Sequence, residues 1–267
     1  MNRQKQLISE TFDRAAPLYG EKSSYFFNYF GQRLVEQVEI KPNSHILDVA
    51  TGKGAVLFPL AQAVGPLGRV VGIDISQEMI NETAKSLLEK NMNWVELLNM
   101  DAEQLDFSDN SFDFLFCGFA LFFLPSLPTA LLDFRRVLKP GGKLVASIWG
   151  EDSALDTLIH EEMESISNTT SLTGTAIENK EKFYSLLEKA NFKEIQIVEE
   201  SKTFFHPTAL DWWDSLWSHG TRAKLEQLTS EQIVRLRKNS LKKAANPDKG
   251  QGIAETLSVF YGIGKKD

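Results

Sequence analysis

The stretch Ile46-Leu47-Asp48-Val49-Ala50-Thr51-Gly52-Lys53-Gly54 decides the fold. It completes a short, mostly apolar strand over 45–50, crosses a tight turn with two glycines, and enters a helical pattern over 55–64. Glycines in such a turn admit positive φ and let a ligand press against the main chain. Working outward, Pro66 and Gly68 make a turn and Arg69–Asp74 reads as a second strand. A polar-faced helix over 77–90 follows, with Ser76 as its N-cap. Strands are expected over 94–98, Phe112–Gly118 and 142–149, with a helix through 131–138. Near-continuous apolar strands alternating with helices predict a parallel sheet covered on both faces. In such open sheets, ligands bind at the carboxyl ends of the strands near the switch in strand order. Asp74, twenty residues past Gly54, ends the second strand, where a carboxylate can accept both hydroxyls of a ribose.

Upstream, 1–39 reads as helical, broken at Pro17 and Gly20. Downstream, a helix over 180–191 precedes a sixth strand over 192–199. Ile253, Leu257, Val259, Tyr261 and Ile263 alternate as a seventh. Between these two strands lies a 44-residue segment, 207–250, with Trp212, Trp213, Leu216 and Trp217 at helical spacing. A second helix opens there at Thr229, with Gln232 in capping-box position. Long insertions of this kind are often lids or binding elements. The expected architecture is α/β: a Rossmann-like, seven-stranded, mostly parallel sheet with helices on both faces, an N-terminal helical cap and a helical insert before the last strand. A single domain over 1–267 is expected. Its parts are a cap (1–40), a cofactor-binding core (41–150), the remainder of the sheet (151–206 and 251–267) and a lid or substrate insert (207–250).

Composition narrows the function. The chain has 267 residues, ample for a sizeable core. Its net charge of −7, without long basic runs, argues against a protein built to bind phosphate backbones. Between Arg222 and Lys249 eight basic side chains stand against three acidic ones, which a solvated helix face explains. The single cysteine, Cys117, excludes an internal disulfide and a cysteine metal cluster. The four histidines are not spaced as ligands of one metal, so no metal is expected. No apolar run reaches the roughly 18 residues of a membrane helix, and 1–14 lacks a signal-peptide core. A cytoplasmic protein without a membrane partner is expected.

Several ordered motifs resemble the class I S-adenosylmethionine (SAM) methyltransferases, particularly the ubiquinone/menaquinone-methyltransferase-like group of small-molecule enzymes. Thr11-Phe12-Asp13-Arg14-Ala15-Ala16-Pro17-Leu18-Tyr19 is similar to that group's N-terminal signature. Leu47 to Gly54 resembles its first motif, and Val71-Gly72-Ile73-Asp74 its ribose-binding strand end. Asn99-Met100-Asp101-Ala102-Glu103-Gln104-Leu105, with Phe107, Asp109 and Ser111-Phe112-Asp113, resembles the adenine loop and fourth strand. Arg135-Arg136-Val137-Leu138-Lys139-Pro140-Gly141-Gly142-Lys143-Leu144 resembles the hairpin entering strand five. Ala50 departs from the glycine that many relatives carry, which also weakens a dinucleotide reading.

The resemblance implies SAM as cofactor, with S-adenosylhomocysteine as product, and it implies the binding residues. Gly52 and Gly54 line the methionine part, with Ala50 and Thr51 in the same loop and Asp48 supporting it. Asp74 takes the ribose; Ile75 and Met79 flank the adenine. Asp101 reaches the adenine amino group, with Ala102 and Glu103 beside it. Cys117 or Gly118, at the end of strand four, faces the ammonium through its backbone carbonyl, and Phe119 follows them in the cofactor-binding set. Tyr19 lies near the active centre in the folded-over N-terminal segment.

No catalytic residue is assigned; Tyr19, His206 and His219 are the candidates. Positioning alone can supply roughly 7–11 kcal/mol of barrier lowering, so an evident base is not required. The loop after strand four, Phe119-Ala120-Leu121-Phe122-Phe123-Leu124-Pro125, lacks the Asn/Asp-Pro-Pro-Tyr sequence frequent in base- and amide-nitrogen methyltransferases. Of 28 aromatic residues, 18 fall in three clusters: from Tyr19 through Tyr25 to Phe30, from Phe107 to Phe123, and from Phe204 to Trp217. Phe122, Phe123, Trp149, Trp212, Trp213 and Trp217 are the expected walls of an apolar acceptor pocket. The expected activity is methyl transfer to an oxygen, nitrogen or carbon of a small, largely apolar metabolite, by a monomer or homodimer. The alternatives are a SAM-fold protein with a structural or non-methylating use of the cofactor, and an RNA or protein methyltransferase.

Overall fold

A computed structural model of the chain describes residues 2–20, 26–167, 169, 177–244 and 252–267. Tyr25, Asp248 and Lys249 lie outside the described residues, as does the end of the 207–250 insert. The elements run α1 (Arg3–Ala15), α2 (Phe26–Val35), β1 (His45–Val49), α3 (Leu57–Val64), β2 (Arg69–Asp74), α4 (Gln77–Glu89), β3 (Val95–Asn99), β4 (Phe112–Gly118), α5 (Leu127–Val137), β5 (Leu138–Trp149), α6 (Ala154–Ile166), α7 (Lys180–Lys189), β6 (Lys193–His206), α8 (Ala209–Ser215), α9 (Arg222–Leu225), α10 (Ser230–Ala244) and β7 (Ile253–Lys265).

The seven strands form one sheet in the order β3-β2-β1-β4-β5-β7-β6. Strands β1 to β5 pair in parallel, and β7 runs antiparallel to both β5 and β6. The sheet is therefore a Rossmann-like, mostly parallel one with a single reversed strand. The order reverses at β1, whose neighbours are β2 and β4, so the crevice for a ligand opens beyond the carboxyl ends of β1, β2 and β4. Both faces are covered. Phe112, Leu115, Leu131, Phe134, Phe183 and Leu187 belong to one apolar layer. Phe30, Leu34, Leu57, Leu60, Val145 and Tyr261 belong to the other.

Local chemistry explains most element ends. Ser76 caps α4, accepting from Met79 N at 3.1 Å. Thr229 and Gln232 form the expected reciprocal capping box at the start of α10. Strand β5 opens at Leu138 rather than 142, because Leu138 already pairs with Phe112 before the Gly141–Gly142 irregularity. Strand β6 runs to His206, well past the expected end at 199. It is an edge strand with mostly exposed side chains, so its outer half lacks an apolar signature. Only Phe204 and His206 turn inward there.

The described part of the 207–250 segment carries three helices, α8, α9 and α10, joined by turns. Trp212, Trp213 and Leu216 of the insert pack with Leu225 and Leu236, and against Leu155, Ile159 and Met163 of α6, in a third apolar cluster. Its basic side chains are partly paired: Lys243 bonds Glu162, and Arg222 bonds Glu226 at 2.7 Å.

Candidate active site

The loop after β1 is held by two buried carboxylates. Asp48 Oδ2 accepts from Thr51 Oγ1 at 2.6 Å. Asp74 accepts from Gly52 N–H at 2.8 Å through one oxygen and from Ser76 N–H at 2.9 Å through the other. Thr83 Oγ1 donates to Gly52 O at 2.6 Å, so Gly52 is gripped from both sides. Burial pushes Asp74 up to about 6 and Asp48 up to about 7, the latter helped by the Asp74 charge. Gly52 and Ala50 sit at φ +52° and +55°, in the left-handed region. That accounts for the glycine expected at position 50: alanine there holds a conformation that L residues adopt at a cost of roughly 1–2 kcal/mol.

A cleft opens above this loop, lined by Ala50, Gly52, Asp74, Ile75, Met79, Met100, Asp101, Ala102, Gly118 and Phe119. Its chemistry is graded. Carboxylates stand at Asp74 and Asp101, apolar side chains at Ile75, Met79 and Met100, and glycine main chain at 52 and 118. Asp48, Thr51, Gly54, Glu103 and Cys117 stand behind this lining rather than in it. Cys117 is fully buried in the core, and burial pushes its thiol well above the usual range.

Helix α1 roofs the cleft. Lys5 Nζ pairs with Asp101 Oδ2 at 2.6 Å and Glu103 Oε2 at 2.5 Å. Burial works against the Lys5 charge, but the bonds to Asp101 and Glu103 outweigh it and raise its pKa. Ser9 Oγ donates to Ile75 O at 3.2 Å, and Asp13 Oδ1 accepts from Ser76 Oγ at 2.6 Å. At its far end Arg14 pairs with Glu226 of the insert at 2.6 Å.

A second, larger cavity of about 760 Å³ adjoins the first. Phe12, Tyr19, Phe119 and Phe123 line both and form the wall between them. Tyr19 stacks on Phe27 with centroids 5.0 Å apart, and Phe119 stacks on Trp149 at 4.2 Å. Phe119 holds φ +53°, a strained backbone state of the kind that concentrates at functional sites. Its N–H donates to Ser147 O at 3.0 Å, which helps to hold it there.

Among the expected wall residues, Phe122, Phe123, Trp149 and Trp212 line this larger cavity. Trp213 and Trp217 do not; they pack inside the insert's own cluster with α6 and α10, because the helical stripe faces that core. His219 lines the cavity, its ring edge-on to Phe26 at 6.3 Å and to Phe27 at 6.4 Å. Burial pushes His219 down to about 4, so it is neutral at physiological pH. His206 is buried behind the cavity, its Nε2 2.7 Å from Glu255 Oε2. Tyr19 has no partner for its hydroxyl among the described residues, and burial raises its pKa further. His160 of α6 also lines the cavity, its side chain partly exposed, because α6 packs against the insert.

Lys5, Asp156 and Glu255 escaped the sequence reading. Glu255 did carry a signal, since it occupies the inward phase of an alternation otherwise set by Ile253, Leu257 and Val259. Asp156 carried a capping-box pattern with Ser153 and fills that role, with Asp156 N–H 3.0 Å from Ser153 Oγ.

Residues 47–146 match the profile of a family described as "Methyltransferase domain". The matched stretch begins in β1 and ends in β5, and so holds the glycine loop, Asp74, Asp101 and Phe119. Among curated proteins, the aklanonic acid methyltransferase DauC of Streptomyces sp. (strain C5) is 36% identical over 140 residues, 52% of this chain and 64% of that protein. The demethylmenaquinone methyltransferase of Staphylococcus carnosus (strain TM300) is 39% identical over 114 residues, 43% of this chain and 46% of that protein. The matches thus span less than two thirds of either relative. A solved structure from Bacillus halodurans C-125 shares the fold across 88% of this chain and 98% of its own, with 23% identity and a TM-score of 0.63. Helices α1 and α2, α6, the insert and β7, which supply most of the larger cavity's wall, lie outside the methyltransferase domain match. No helix among the described residues is long and apolar enough to cross a membrane.

Proposed function

We propose that the protein transfers a methyl group from SAM to an oxygen, nitrogen or carbon of a small, largely apolar metabolite, releasing S-adenosylhomocysteine. The observation that carries this reading is the shared wall: a cleft with the donor set of a nucleoside-bearing cofactor meets a large aromatic cavity at Phe12, Tyr19, Phe119 and Phe123. The cleft suits the cofactor by the chemistry of its groups. Asp74 is an ionised acceptor for ribose hydroxyls, Asp101 an acceptor for the adenine amino group, and Ile75, Met79 and Met100 an apolar seat for the ring. The main-chain carbonyl of Gly118, at the end of β4, suits an ammonium. When bound, SAM supplies an already activated methyl group. The chain's own work is then positioning and exclusion of water, for which the stacked rings of Tyr19, Phe27, Phe119 and Trp149 are well placed. His219, neutral and half-buried on the cavity wall, is the candidate to hold the acceptor's hydrogen by a hydrogen bond.

On this reading the N-terminal helices (1–40) act as a cap over a cofactor-binding core (41–150), and 207–250 is the lid of the acceptor site. The protein works in the cytoplasm as a monomer or homodimer, in keeping with its lone, buried and unpaired cysteine. Isothermal titration with SAM and with S-adenosylhomocysteine tests the cofactor. Micromolar binding of both is expected, and no heat from either overturns the proposal. Mass spectrometry of acceptors incubated with SAM separates methyl transfer from a non-methylating use of the same cofactor. A product heavier by one methylene is the expected result.

A further inference from the structure

Hydrogen-bond accounting at one end of the larger cavity leaves acceptors in excess. Ser153 Oγ lies 2.8 Å from Asp156 Oδ2 and 3.0 Å from Glu255 Oε1, and it accepts the Asp156 N–H. A hydroxyl owns one proton, so it can satisfy only one of these two carboxylates. Glu255 Oε2 meets His206 Nε2, and His206 Nδ1, on a ring only 1% exposed, has no partner. Ser258 Oγ, on the cavity wall, is also buried without a partner. Asp156 and Glu255 both line the cavity; Asp156 Oδ2 also accepts the Ser153 N–H at 3.2 Å, and Asp156 Oδ1 is left without a donor among the described residues.

Charge points the same way. Glu151, Asp152 and Glu178 add three carboxylates to Asp156 and Glu255 around this cavity, Glu178 already paired with Lys182 at 3.3 Å, against one ammonium, Lys224, among the described residues that line it. The two imidazoles on the wall add no cation: burial lowers His160 and His219 alike, with Lys224 and His206 respectively adding to the effect against the pull of Asp152 and Glu255. The rings of Trp149, Trp212 and Phe26 face the same space, and aromatic faces attract a desolvated cation.

We propose that the larger cavity takes an apolar molecule bearing a protonated amine, whose N–H groups are received by Asp156 and Glu255 and whose carbon frame is enclosed by the aromatic rings. This rests on the reading of that cavity as the methyl acceptor's site. A carboxylate-bearing acceptor would meet like charge at the Asp156–Glu255 end.

Three probes of one shape test it on the full chain: naphthylmethylamine, naphthylmethanol and naphthoate, titrated at neutral pH with tryptophan fluorescence and calorimetry. The amine is expected to bind about tenfold or more tightly than the alcohol, as a charge-assisted contact requires, and naphthoate most weakly. Glu255→Gln and Asp156→Asn are each expected to narrow the gap between amine and alcohol while leaving the alcohol's affinity unchanged. Equal affinities, a preference for naphthoate, or no binding of any probe overturns the proposal. If both variants fail to fold, the wild-type ranking decides alone. A parallel titration with SAM separates the two readings. A protein that binds no SAM yet keeps the amine ranking overturns methyl transfer and supports the amine site.

Discussion

Replacing Asp74 with alanine strikes the loop and the cofactor together, and the two effects have different sizes. The side chain accepts the N–H groups of Gly52 at 2.8 Å and Ser76 at 2.9 Å, and it is 8% exposed. Alanine leaves both donors without a partner, at about 1–3 kcal/mol each, so a loss of about 2–6 kcal/mol of stability is expected. For a domain of this size that corresponds to a fall in melting temperature of roughly 5–20 °C. The protein is expected to stay folded at low temperature, because a native domain typically has about 5–15 kcal/mol to lose. The cofactor loses a charged acceptor worth about 1.5–3 kcal/mol per bond, so its affinity is expected to fall roughly 10- to 150-fold. Asp74→Asn separates the contributions: it keeps one acceptor but turns an NH₂ toward the other backbone donor, so its stability is expected between wild type and alanine. Calorimetric titration with SAM beside thermal unfolding reads both. An Asp74→Ala protein that melts like wild type and binds SAM within about threefold of it would refute the role given to this carboxylate.

Three further expectations follow from the same elements. Ala50 sits at φ +55°, so Ala50→Gly relieves roughly 1–2 kcal/mol of strain and adds about 0.5–1 kcal/mol of chain entropy cost; the urea midpoint is expected to rise slightly, and a fall would show that Ala50 is not strained. Asp48 and Asp74 are raised by burial to about 7 and about 6, above their unfolded values near 4. The native state therefore holds more protons across that window, and their contribution is full below about pH 4 and lost as pH climbs through about 6 to 7. Urea midpoints between those limits are expected to decline with pH, with a flatter profile for Asp48→Asn; a rise with pH for the cofactor-free protein would contradict the burial argument. Lys5→Ala removes the ammonium shared by Asp101 and Glu103, so amide exchange in α1 is expected to quicken roughly tenfold while β1 and β4 are unaffected. Unchanged exchange in α1 would mean that Ser9, Asp13 and Arg14 hold the helix without it.

The cofactor half of the site was legible because its information is local. A strand, a glycine turn, a helix and a second strand ending in Asp74 lie within thirty residues of one another, and each announces itself by periodicity or by a turn residue. The same holds for the Ser76 and Thr229 caps, which act within three residues of their partners. The outer half of β6 carries no signature in the sequence because it lies on the sheet edge, where burial imposes little pattern. The helical spacing of Trp213 and Trp217 shows that a stripe is apolar, not which core it faces; the packing of the insert on α6 decides that.

The sequence by itself determined the sheet, the glycine loop and the carboxylate at the end of β2, since each depends on residues that are neighbours in the chain or on a repeat that the backbone geometry imposes. The tertiary structure decided the rest. Ser153 meets Glu255 across 102 residues, His206 meets Glu255 across 49, and Lys5 meets Asp101 across 96. No local rule predicts such pairs, because their energy arises only when burial removes water from both partners at once. The aromatic residues were visible from the start as an excess. Only the closure of α1, α2, the insert and β7 over the ends of β4 and β5 turned that excess into a cavity, and set carboxylates among its rings.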